Sequence, residues 1–461
     1  MSLDPAPAPG TRRVFILPRS AGVDHVILVR RVSAYPRGRN VPFPNRRHNN
    51  AGVAVKTPAG EHSPELRVGM VALSHYPNDP RIKREAEALG ARGIEVDVFC
   101  LGDRDQDRRE RFGNVTAHRL LRAGKGDKES LPAYLALSLR FMASAYRALR
   151  ARMPERRYAL LQVHNLPDYL VLAALPFRMR GVPVILDLHD LMTELFESKW
   201  SHGHARRLLP IVRAVEALCW KNADALIATS EGFRHRMLAR GVDPAKVTLV
   251  LNSADERIFK RRPREFRPIE RGGRLLYHGT VARRFGLHTL LEAVKRLQST
   301  VPGTTLRVHG NYDPSYLQFL RQRTAELELD RLVVWDGYRP VEELGRVMMD
   351  ADIGIVPYLN DPFMAVALST KAFEYVATGL PVVASRLPSL TTIFDEDCLA
   401  YFAPGDPENL AEKIRFLCSN PGIRSAHCER ALAAYQGVAW PVMRERYLSL
   451  VKRLAARRAR K

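Results

Sequence analysis

The sequence has few cysteines and no long apolar run. Five of its 461 residues are cysteine, an odd number without a C-x-x-C pair, which argues against a disulfide framework and a zinc site. The most apolar stretch, residues 169–177, is closed by Asp168 and Arg178. It is much shorter than the ~18 apolar residues that a membrane span needs. The sequence therefore predicts a protein of the reducing cytoplasm that does not span a membrane.

The first residues do not predict a secretion signal. The first basic residues, in MSLDPAPAPGTRR, are followed only by the short run VFILP, too little for the apolar core of a signal peptide. Hydrophobic residues make up 46% and charged residues 26%, which excludes wholesale disorder and fibrous or collagen-like structure. At roughly 100 to 200 residues per domain, the length suggests two lobes of about 200 residues.

Acidic residues are scarce relative to basic ones. The chain has 72 Lys+Arg against 49 Asp+Glu, a net charge of +23, which favours polyanionic partners. Residues 1–66 and 451–461 each carry a net charge of +6, so the two ends supply 12 of the 23. Neither end interleaves aromatics as nucleic-acid readers do, so no specific nucleic-acid partner is expected. Basic ends suit an anionic membrane surface, and a merely solvated basic surface is the alternative.

Hydrophobic periodicity divides the chain into two α/β series. Residues 1–66 mix Pro, Gly, Asn and Arg without periodicity and are predicted to be a mostly disordered basic extension. In residues 67–259 short apolar strands alternate with helices, as in a parallel sheet covered by helices. Residues 260–273 have the Pro, Gly and charge content of an interdomain linker. A second α/β series fills residues 274–436, and residues 437–461 are predicted as a helix with a basic tail.

This rhythm predicts an α/β fold of two Rossmann-like, doubly wound parallel sheets. The predicted strands cover residues 68–73, 94–98, 159–163, 182–186, 225–229, 247–251, 275–278, 305–309, 332–335, 353–356, 381–384 and 399–402. The main predicted helices begin near residues 81, 132, 167, 204, 231 and 440. In such a pair of lobes the ligand lies in the cleft, facing the carboxyl ends of both sheets.

Four blocks of this sequence carry a resemblance to a known family. They are NDPRIKREAEALGARGIEVDVF, DLHDL, YHGTVARRFG and STKAFEYVATGLPVVAS, at residues 78–99, 187–191, 277–286 and 369–385. On these blocks the chain resembles the retaining glycosyltransferases of the GT-B fold called family 4, or glycosyl transferases group 1. The resemblance implies transfer of a sugar from a UDP- or GDP-linked donor to an acceptor hydroxyl. It also implies that neither a metal nor another cofactor is needed.

The block at residues 369–385 is the most specific of the four. Ser369, Thr370 and Lys371 occupy the first turn of a predicted helix, where free N–H groups and the Lys371 charge favour a phosphate of the donor. The resemblance implies that the Glu374 carboxylate accepts hydrogen bonds from both hydroxyls of the donor ribose. The alternative is that Glu374 is an ordinary surface residue of an amphipathic helix. Many relatives carry a further Glu eight residues earlier that binds the transferred sugar. Here that position is Val366, which leaves the sugar open.

The block at residues 277–286 places glycines where a backbone approaches phosphate closely. Gly279 lets the chain leave the first strand of the second lobe. Arg284 is predicted to bind the charge that develops on the leaving diphosphate, because a guanidinium forms paired hydrogen bonds with phosphate. Arg283 is a second donor-binding candidate, with a solvated surface role as the alternative. Where many relatives have Lys before the second glycine, this chain has Phe285.

Residues of the first lobe are expected to contact the transferred sugar and the acceptor. The resemblance implies that His189, at the end of a strand, hydrogen-bonds the sugar and helps to stabilise positive charge at the anomeric carbon; His164 is the weaker competitor. Asp190 and Glu194 are predicted to orient the acceptor. Asp79 is an acceptor-binding candidate, although a helix-capping role is favoured for it.

The last helix and the acidic motifs complete the predictions. The resemblance implies that the helix from Trp440 packs back on the first lobe. The sequence has two D-x-D patterns. The first, at residues 350–352, leads into a predicted buried strand, and the second, at residues 395–397, lies in a predicted turn, so neither is predicted to bind metal. The expected acceptor is a sugar or a lipid-linked molecule of envelope polysaccharide or glycolipid synthesis, at the inner face of the cell membrane. The alternatives are a nucleotide-sugar 2-epimerase and a non-catalytic protein that binds polyanions or membranes.

Overall fold

The computed structural model describes residues 66–124, 130–200 and 203–459. Of the predicted basic extension, residues 1–66, all but residue 66 lie outside the described residues, and so do the last two residues of the chain. All five cysteines are buried and free, in agreement with the absence of paired cysteine motifs. Within the described ranges, no helix combines the length and the apolarity that crossing a membrane requires.

The first lobe contains an eight-stranded sheet with the order β3-β4-β2-β1-β5-β6-β7-β8. Every neighbouring pair is parallel except β3 with β4, which is antiparallel. The strands are β1 (Arg67–His75), β2 (Glu95–Gly102), β3 (Arg109–Phe112), β4 (Val115–Arg122), β5 (Leu160–His164), β6 (Val184–Leu188), β7 (Ala225–Ala228) and β8 (Val247–Leu249). The helices are α1 (Pro80–Gly90), α2 (Leu131–Arg156), α3 (Leu175–Arg178), α4 (Met192–Trp200), α5 (Leu209–Lys221) and α6 (Glu231–Ala239).

The second lobe contains a six-stranded, fully parallel sheet with the order β11-β10-β9-β12-β13-β14. Its strands are β9 (Arg274–His278), β10 (Thr305–His309), β11 (Val333–Gly337), β12 (Ile353–Val356), β13 (Val382–Ser385) and β14 (Ala400–Phe402). The helices that follow in the chain are α7 (Leu287–Leu297), α8 (Pro314–Glu326), α9 (Val341–Val347), α10 (Thr370–Thr378), α11 (Pro388–Thr391), α12 (Pro407–Ser419), α13 (Pro421–Gln436) and α14 (Trp440–Ala459). The central strands β9, β12 and β13 are buried except for Arg274 at the start of β9, as is typical of parallel sheets covered on both faces.

The two parallel sheets confirm the predicted fold class, but three elements of the first lobe were not predicted. Strands β3 and β4 form a hairpin through Gly113 and Asn114, and β3 is mostly exposed and charged, so it lacks an apolar pattern. The Gly-Asn pair was the available turn signal. Helix α4 was also missed. The helix predicted from residue 167 is a 3-10 segment, Asp168–Ala173, followed by the short α3.

Helix α14 is last in the chain and packs against the first lobe. Its buried side chains Met443, Leu450 and Val451 join the same hydrophobic cluster as the strands of the first sheet. The Arg84 guanidinium of α1 lies 4.6 Å from the centroid of the Trp440 ring. Because α13 packs on α10 of the second lobe, the segment α13–α14 connects the two lobes.

Loops of the two lobes also contact each other directly. The Ser230 hydroxyl, at the start of α6, donates to the Val366 carbonyl at 2.6 Å. The Ser198 hydroxyl of α4 donates to the Asp361 carboxylate at 3.0 Å. Next to them, Gly232 leaves no room for a side chain, since a Cβ there would lie 2.8 Å from the Val366 carbonyl oxygen. The loop after β12 is therefore seated on the first lobe.

The backbone at Gly286, at the start of α7, is in close contact with the loop after β12. Its φ is +67° and a Cβ there would lie 1.9 Å from the Pro357 carbonyl oxygen, whereas Gly181 has φ +82° and its Cβ would meet no described atom within 4 Å. We expect Gly286→Ala to lower the free energy of unfolding by about 3 kcal/mol and Gly181→Ala by about 1 kcal/mol. Urea unfolding measures both, and equal losses would contradict the packing.

Candidate active site

Polar residues collect where the strands of both sheets end. In the first lobe, His164 is the last residue of β5, and His189 follows β6. In the second lobe, Gly279 follows β9, and the loop after β12 leads into α10. The contacts between Ser198 and Asp361 and between Ser230 and Val366 join segments that follow strand ends of opposite lobes. The carboxyl edges of the two sheets therefore face each other across one cleft.

His189 belongs to a buried group with Asp187 and His164. His189 Nε2 lies 3.0 Å and His164 Nδ1 lies 2.9 Å from the same oxygen, Asp187 Oδ2. The two ring nitrogens are 3.2 Å apart. All three residues are at most 5% exposed. Asp187 thus accepts from both imidazoles and fixes the orientation of each ring.

Among these three buried residues, Asp187 carries the negative charge. Burial alone would raise the pKa of the Asp187 carboxyl, but the charges and hydrogen bonds of His189 and His164 hold it well below its ordinary value. Burial lowers the pKa of His164, and Asp187 offsets part of that effect. A buried carboxylate in contact with imidazole is a common means of fixing which ring nitrogen carries the proton.

The same three residues have the spacing of a metal site. Their ligand atoms lie within 4.8 Å of one another. However, both imidazole nitrogens are already at hydrogen-bond distance from Asp187 Oδ2, so hydrogen bonding accounts for the arrangement without an ion. The sequence-based expectation that the site needs no metal stays a prediction.

Asn165, which sequence analysis missed, holds the backbone of this site. Its side-chain oxygen accepts from the His189 N–H at 2.7 Å and from the Asp190 N–H at 3.3 Å. Its side-chain amide donates to the Asp190 carbonyl at 2.6 Å and to the Asp168 carboxylate at 2.8 Å. The position directly after a buried strand was the only sequence signal.

Asp79 caps helix α1, as the sequence analysis favoured. Its carboxylate accepts from the Arg81 backbone N–H at 3.1 Å and from two guanidinium nitrogens of Arg81, each at 3.1 Å. Burial would raise the pKa of Asp79, but Arg81 and the charge of His189 hold it well below its ordinary value. Asp79 is therefore near His189 and already paired, and its acceptor contact stays a prediction.

The two other acceptor candidates differ in their surroundings. Asp190 follows His189 directly and its side chain is partly exposed. The buried Glu194 of α4 instead accepts from Arg240 at 2.6 Å and lies 3.7 Å from Arg236, both on α6 or just after it. The structure thus brings Asp79 and Asp190 together around His189, whereas Glu194 is engaged in an ion pair between helices. Acceptor binding by Asp190 and Glu194 stays a prediction.

Glu374 lies on the second-lobe side of the cleft, one turn into α10. Its side chain is 15% exposed and its carboxylate lies 3.2 Å from His278 Nε2, at the end of β9. Burial raises the pKa of Glu374 to about 7, although Lys371 and Arg84 lower it in part. The sequence analysis missed His278, the last residue of β9.

Lys371 is more enclosed than a first-turn lysine is expected to be. Its ammonium donates to the Tyr358 hydroxyl at 2.8 Å and to the Tyr277 hydroxyl at 3.3 Å, and it lies 4.4 to 5.1 Å from the ring centroids of Tyr277, Tyr358 and Phe285. Burial lowers the pKa of Lys371 to about 7, against the opposite effect of Glu374. A Cβ on Gly279 would lie 3.2 Å from Lys371 Cε, so this lysine lies against the Gly279 loop.

The remaining donor candidates surround this lysine. Ser369 is buried and donates to the Tyr358 hydroxyl at 3.1 Å, whereas Thr370 and Arg283 are exposed. Arg284 reaches the first lobe, where its guanidinium donates to the Ser198 hydroxyl at 3.1 Å. The structure therefore groups Gly279, Ser369, Lys371 and Glu374 on one wall of the cleft, with Arg284 joining the two walls. Their donor contacts stay predictions.

Both lobes match models of known protein families. Residues 79–253 match the Glycosyl transferase 4-like domain, and residues 272–420 match Glycosyl transferases group 1. The two matches follow each other along one chain, as the two lobes do. The chain belongs to the group 1 glycosyltransferases. It is thus a transferase enzyme of the GT-B fold.

Individual relatives support the same assignment. This glycosyltransferase is 26% identical to the D-inositol 3-phosphate glycosyltransferase of Corynebacterium kroppenstedtii over 382 residues, which cover 78% of this chain and 81% of the relative. It is 30% identical to the glycogen synthase of Mycobacterium tuberculosis over 261 residues, 55% of this chain and 58% of the relative.

Solved structures show the fold. Sucrose-phosphate synthase of Thermosynechococcus elongatus has a TM-score of 0.67 and 20% identity, and the match covers 85% of this chain and 99% of that one. Anabaena HepE in complex with UDP-glucose has a TM-score of 0.63 and 15% identity, with 84% and 100% covered.

The charge state of Glu374 predicts a pH-dependent cost to stability. A carboxyl whose pKa rises from 4.5 in the unfolded chain to about 7 in the folded chain stabilises the fold at low pH and loses that stabilisation as pH rises through 7. We expect Glu374→Gln to raise the free energy of unfolding by about 2 to 3 kcal/mol at pH 8 and by less than about 1 kcal/mol at pH 5. Glu342→Gln, at an exposed position of α9, is the control. Denaturant unfolding at both pH values measures this, and an equal gain at both would contradict the burial of the Glu374 charge.

Proposed function

We propose that this glycosyltransferase moves a sugar from a nucleotide diphosphate sugar to an acceptor hydroxyl with retention of the anomeric configuration. The observation that carries the proposal is the wall formed by Glu374, Lys371 and Gly279. It combines a partly exposed carboxylate, an ammonium and a glycine loop at the carboxyl end of a parallel sheet. Such strand ends bind nucleotides in doubly wound folds.

The proposed donor lies against the second lobe. Glu374 accepts the two ribose hydroxyls, and the diphosphate lies at the Gly279 loop and the start of α10, where N–H groups and Lys371 favour negative charge. Arg284 exchanges its Ser198 contact for the diphosphate and stabilises the charge that develops on it. The complex of Anabaena HepE with UDP-glucose favours a UDP-linked donor over a GDP-linked one.

The transferred sugar is proposed to be held mainly by the first lobe. Val366 is only 6% exposed and its carbonyl accepts from Ser230, and its aliphatic side chain offers no hydrogen bond to a sugar. His189, whose orientation Asp187 fixes, then supplies the main polar contact to the sugar. Asp190 and Asp79 face the acceptor side.

The proposed chemistry needs no separate general base. The leaving diphosphate takes the proton of the acceptor hydroxyl while the acceptor oxygen bonds the anomeric carbon from the same face. The lobes exclude water from the cleft during this step, which prevents hydrolysis of the donor.

We further propose that the acceptor is a sugar or a lipid-linked molecule of envelope polysaccharide or glycolipid synthesis, met at the inner face of the membrane. The support is the basic end of α14, where Lys452, Arg453 and Arg457 are exposed. The segment 451–461 carries six basic and no acidic residues. Each well-placed basic residue contributes about 1 kcal/mol near an anionic surface.

Donor binding is tested by thermal shift with UDP, GDP, ADP, dTDP and their common sugars. A ligand at 100 times its dissociation constant stabilises the folded state by about 2.7 kcal/mol. We expect one nucleotide series to raise the melting temperature of the wild type and of Glu342→Gln, and this shift to be lost in Glu374→Gln, since a neutral amide is a weaker ribose acceptor.

Two outcomes would contradict this donor site. A shift of equal size in Glu374→Gln would exclude Glu374 from it. No shift with any nucleotide would favour a non-catalytic polyanion-binding protein, and conversion of the donor sugar without transfer would favour an epimerase.

Membrane binding is tested by co-sedimentation with vesicles of phosphatidylcholine and phosphatidylglycerol. We expect binding that weakens as salt rises, and a loss of roughly tenfold in Arg453→Ser/Arg457→Ser, because two charge contacts are worth about 2 kcal/mol at most. The matched control is Arg321→Ser/Arg331→Ser, at exposed positions of the second lobe. Equal binding by the two double variants, or binding insensitive to salt, would exclude this role for α14.

A further inference from the structure

We propose that Gln162 and Tyr447 are positioning residues for His189, so that helix α14, through Gln162 of β5, helps to orient the imidazole that follows β6. The inference rests on the proposed function, in which His189 contacts the transferred sugar. It assigns a role to two residues that sequence analysis did not single out.

A continuous chain of hydrogen bonds links α14 to His189. The Tyr447 hydroxyl donates to Gln162 Oε1 at 2.7 Å. The Gln162 amide nitrogen donates to Glu85 Oε2 at 2.7 Å and lies 3.3 Å from Asp187 Oδ2. The same Asp187 oxygen lies 3.0 Å from His189 Nε2. Tyr447, Gln162 and Asp187 are each 0% exposed, so water does not compete for these contacts.

Tyr447 determines which way the Gln162 amide points. A side-chain amide has an acceptor end and a donor end, and exchanging them reverses its contacts. With the Tyr447 hydroxyl bound to the oxygen, the NH₂ group faces Glu85 and Asp187. If the amide were reversed, its oxygen would face two carboxyl groups in a buried site, which is unfavourable. The tyrosine therefore keeps a donor directed at Asp187.

Glu85 and Asp187, the two carboxyl groups that face the Gln162 amide, differ in acidity. Burial, followed by the charge of Asp187, raises the pKa of Glu85 well above its ordinary value. Against the effect of burial, His189 and His164 hold the pKa of Asp187 well below its ordinary value, so Asp187 is the more acidic of the two. Asp187 Oδ2 accepts from the Nε2–H of His189, which fixes the orientation of that ring.

The geometry predicts the effect of removing each contact. Gln162→Leu takes away one donor to Asp187, so that only the two imidazoles hold the carboxylate and its orientation toward His189 is less fixed. Tyr447→Phe removes a single hydroxyl and leaves the amide free to reverse. We expect turnover to fall at least tenfold in Gln162→Leu and about threefold to tenfold in Tyr447→Phe, with the KM for the donor within twofold of wild type, because the Glu374 wall is untouched.

The matched control is Tyr435→Phe. Tyr435 is also buried and lies in the same connecting segment, but its hydroxyl donates to Glu256 at 2.8 Å and not to the Gln162 chain. We expect its turnover to equal that of wild type, even though its melting temperature falls as much as that of Tyr447→Phe.

The test combines these variants with His189→Ala, using donor radiolabelled in the sugar so that residual turnover is measured. If Gln162 acts through His189, adding Gln162→Leu to His189→Ala lowers kcat no further. Wild-type turnover in His189→Ala would overturn the role of His189 and this inference with it. Two results would overturn this inference but leave the role of His189 intact. In the first, His189→Ala loses turnover but Tyr447→Phe keeps the wild-type kcat. In the second, adding Gln162→Leu to His189→Ala lowers kcat again by the full factor seen for Gln162→Leu alone. Should Gln162→Leu fail to fold, Tyr447→Phe combined with His189→Ala gives the same comparison.

Discussion

Parallel strand pairing is the constraint on which the rest of the structure depends. All strands of a parallel sheet end at one edge, so the polar residues that follow them accumulate there. The two sheets of this chain turn those edges toward each other, and the contacts of Ser198, Ser230 and Arg284 join the opposing loops. Residues far apart in the chain, such as His189 and Glu374, are thereby placed on the walls of one cleft.

The cleft contains buried ionisable groups that lower the stability of the fold. Burial brings the pKa of both Glu374 and Lys371 to about 7, and Asp187 is charged although it is fully enclosed. Each of these groups costs stability relative to an apolar residue. The hydrogen bonds of Tyr358, His164 and Gln162 offset this cost, and their geometry is what orients the charged groups.

Local sequence pattern was sufficient for part of this architecture. Apolar runs located the central strands, and the capping role of Asp79 followed from its place before a helix. The hairpin β3–β4 was missed because its first strand is charged and exposed. The enclosure of Lys371 by aromatic rings and the contact of Tyr447 with Gln162, 285 residues away in the chain, depend on tertiary packing. No spacing in the sequence reports such contacts.

The central claim is retaining transfer from a nucleotide sugar, and the most direct measurement is the configuration of the first product. The bound nucleotide sugar, labelled with ¹³C at the anomeric carbon, is incubated with the enzyme, and its turnover with acceptor or water is followed by NMR before the product equilibrates. The account predicts release of the nucleoside diphosphate together with a product that has the anomeric configuration of the donor. A product of the opposite configuration, or a changed sugar still attached to the nucleotide, would contradict it.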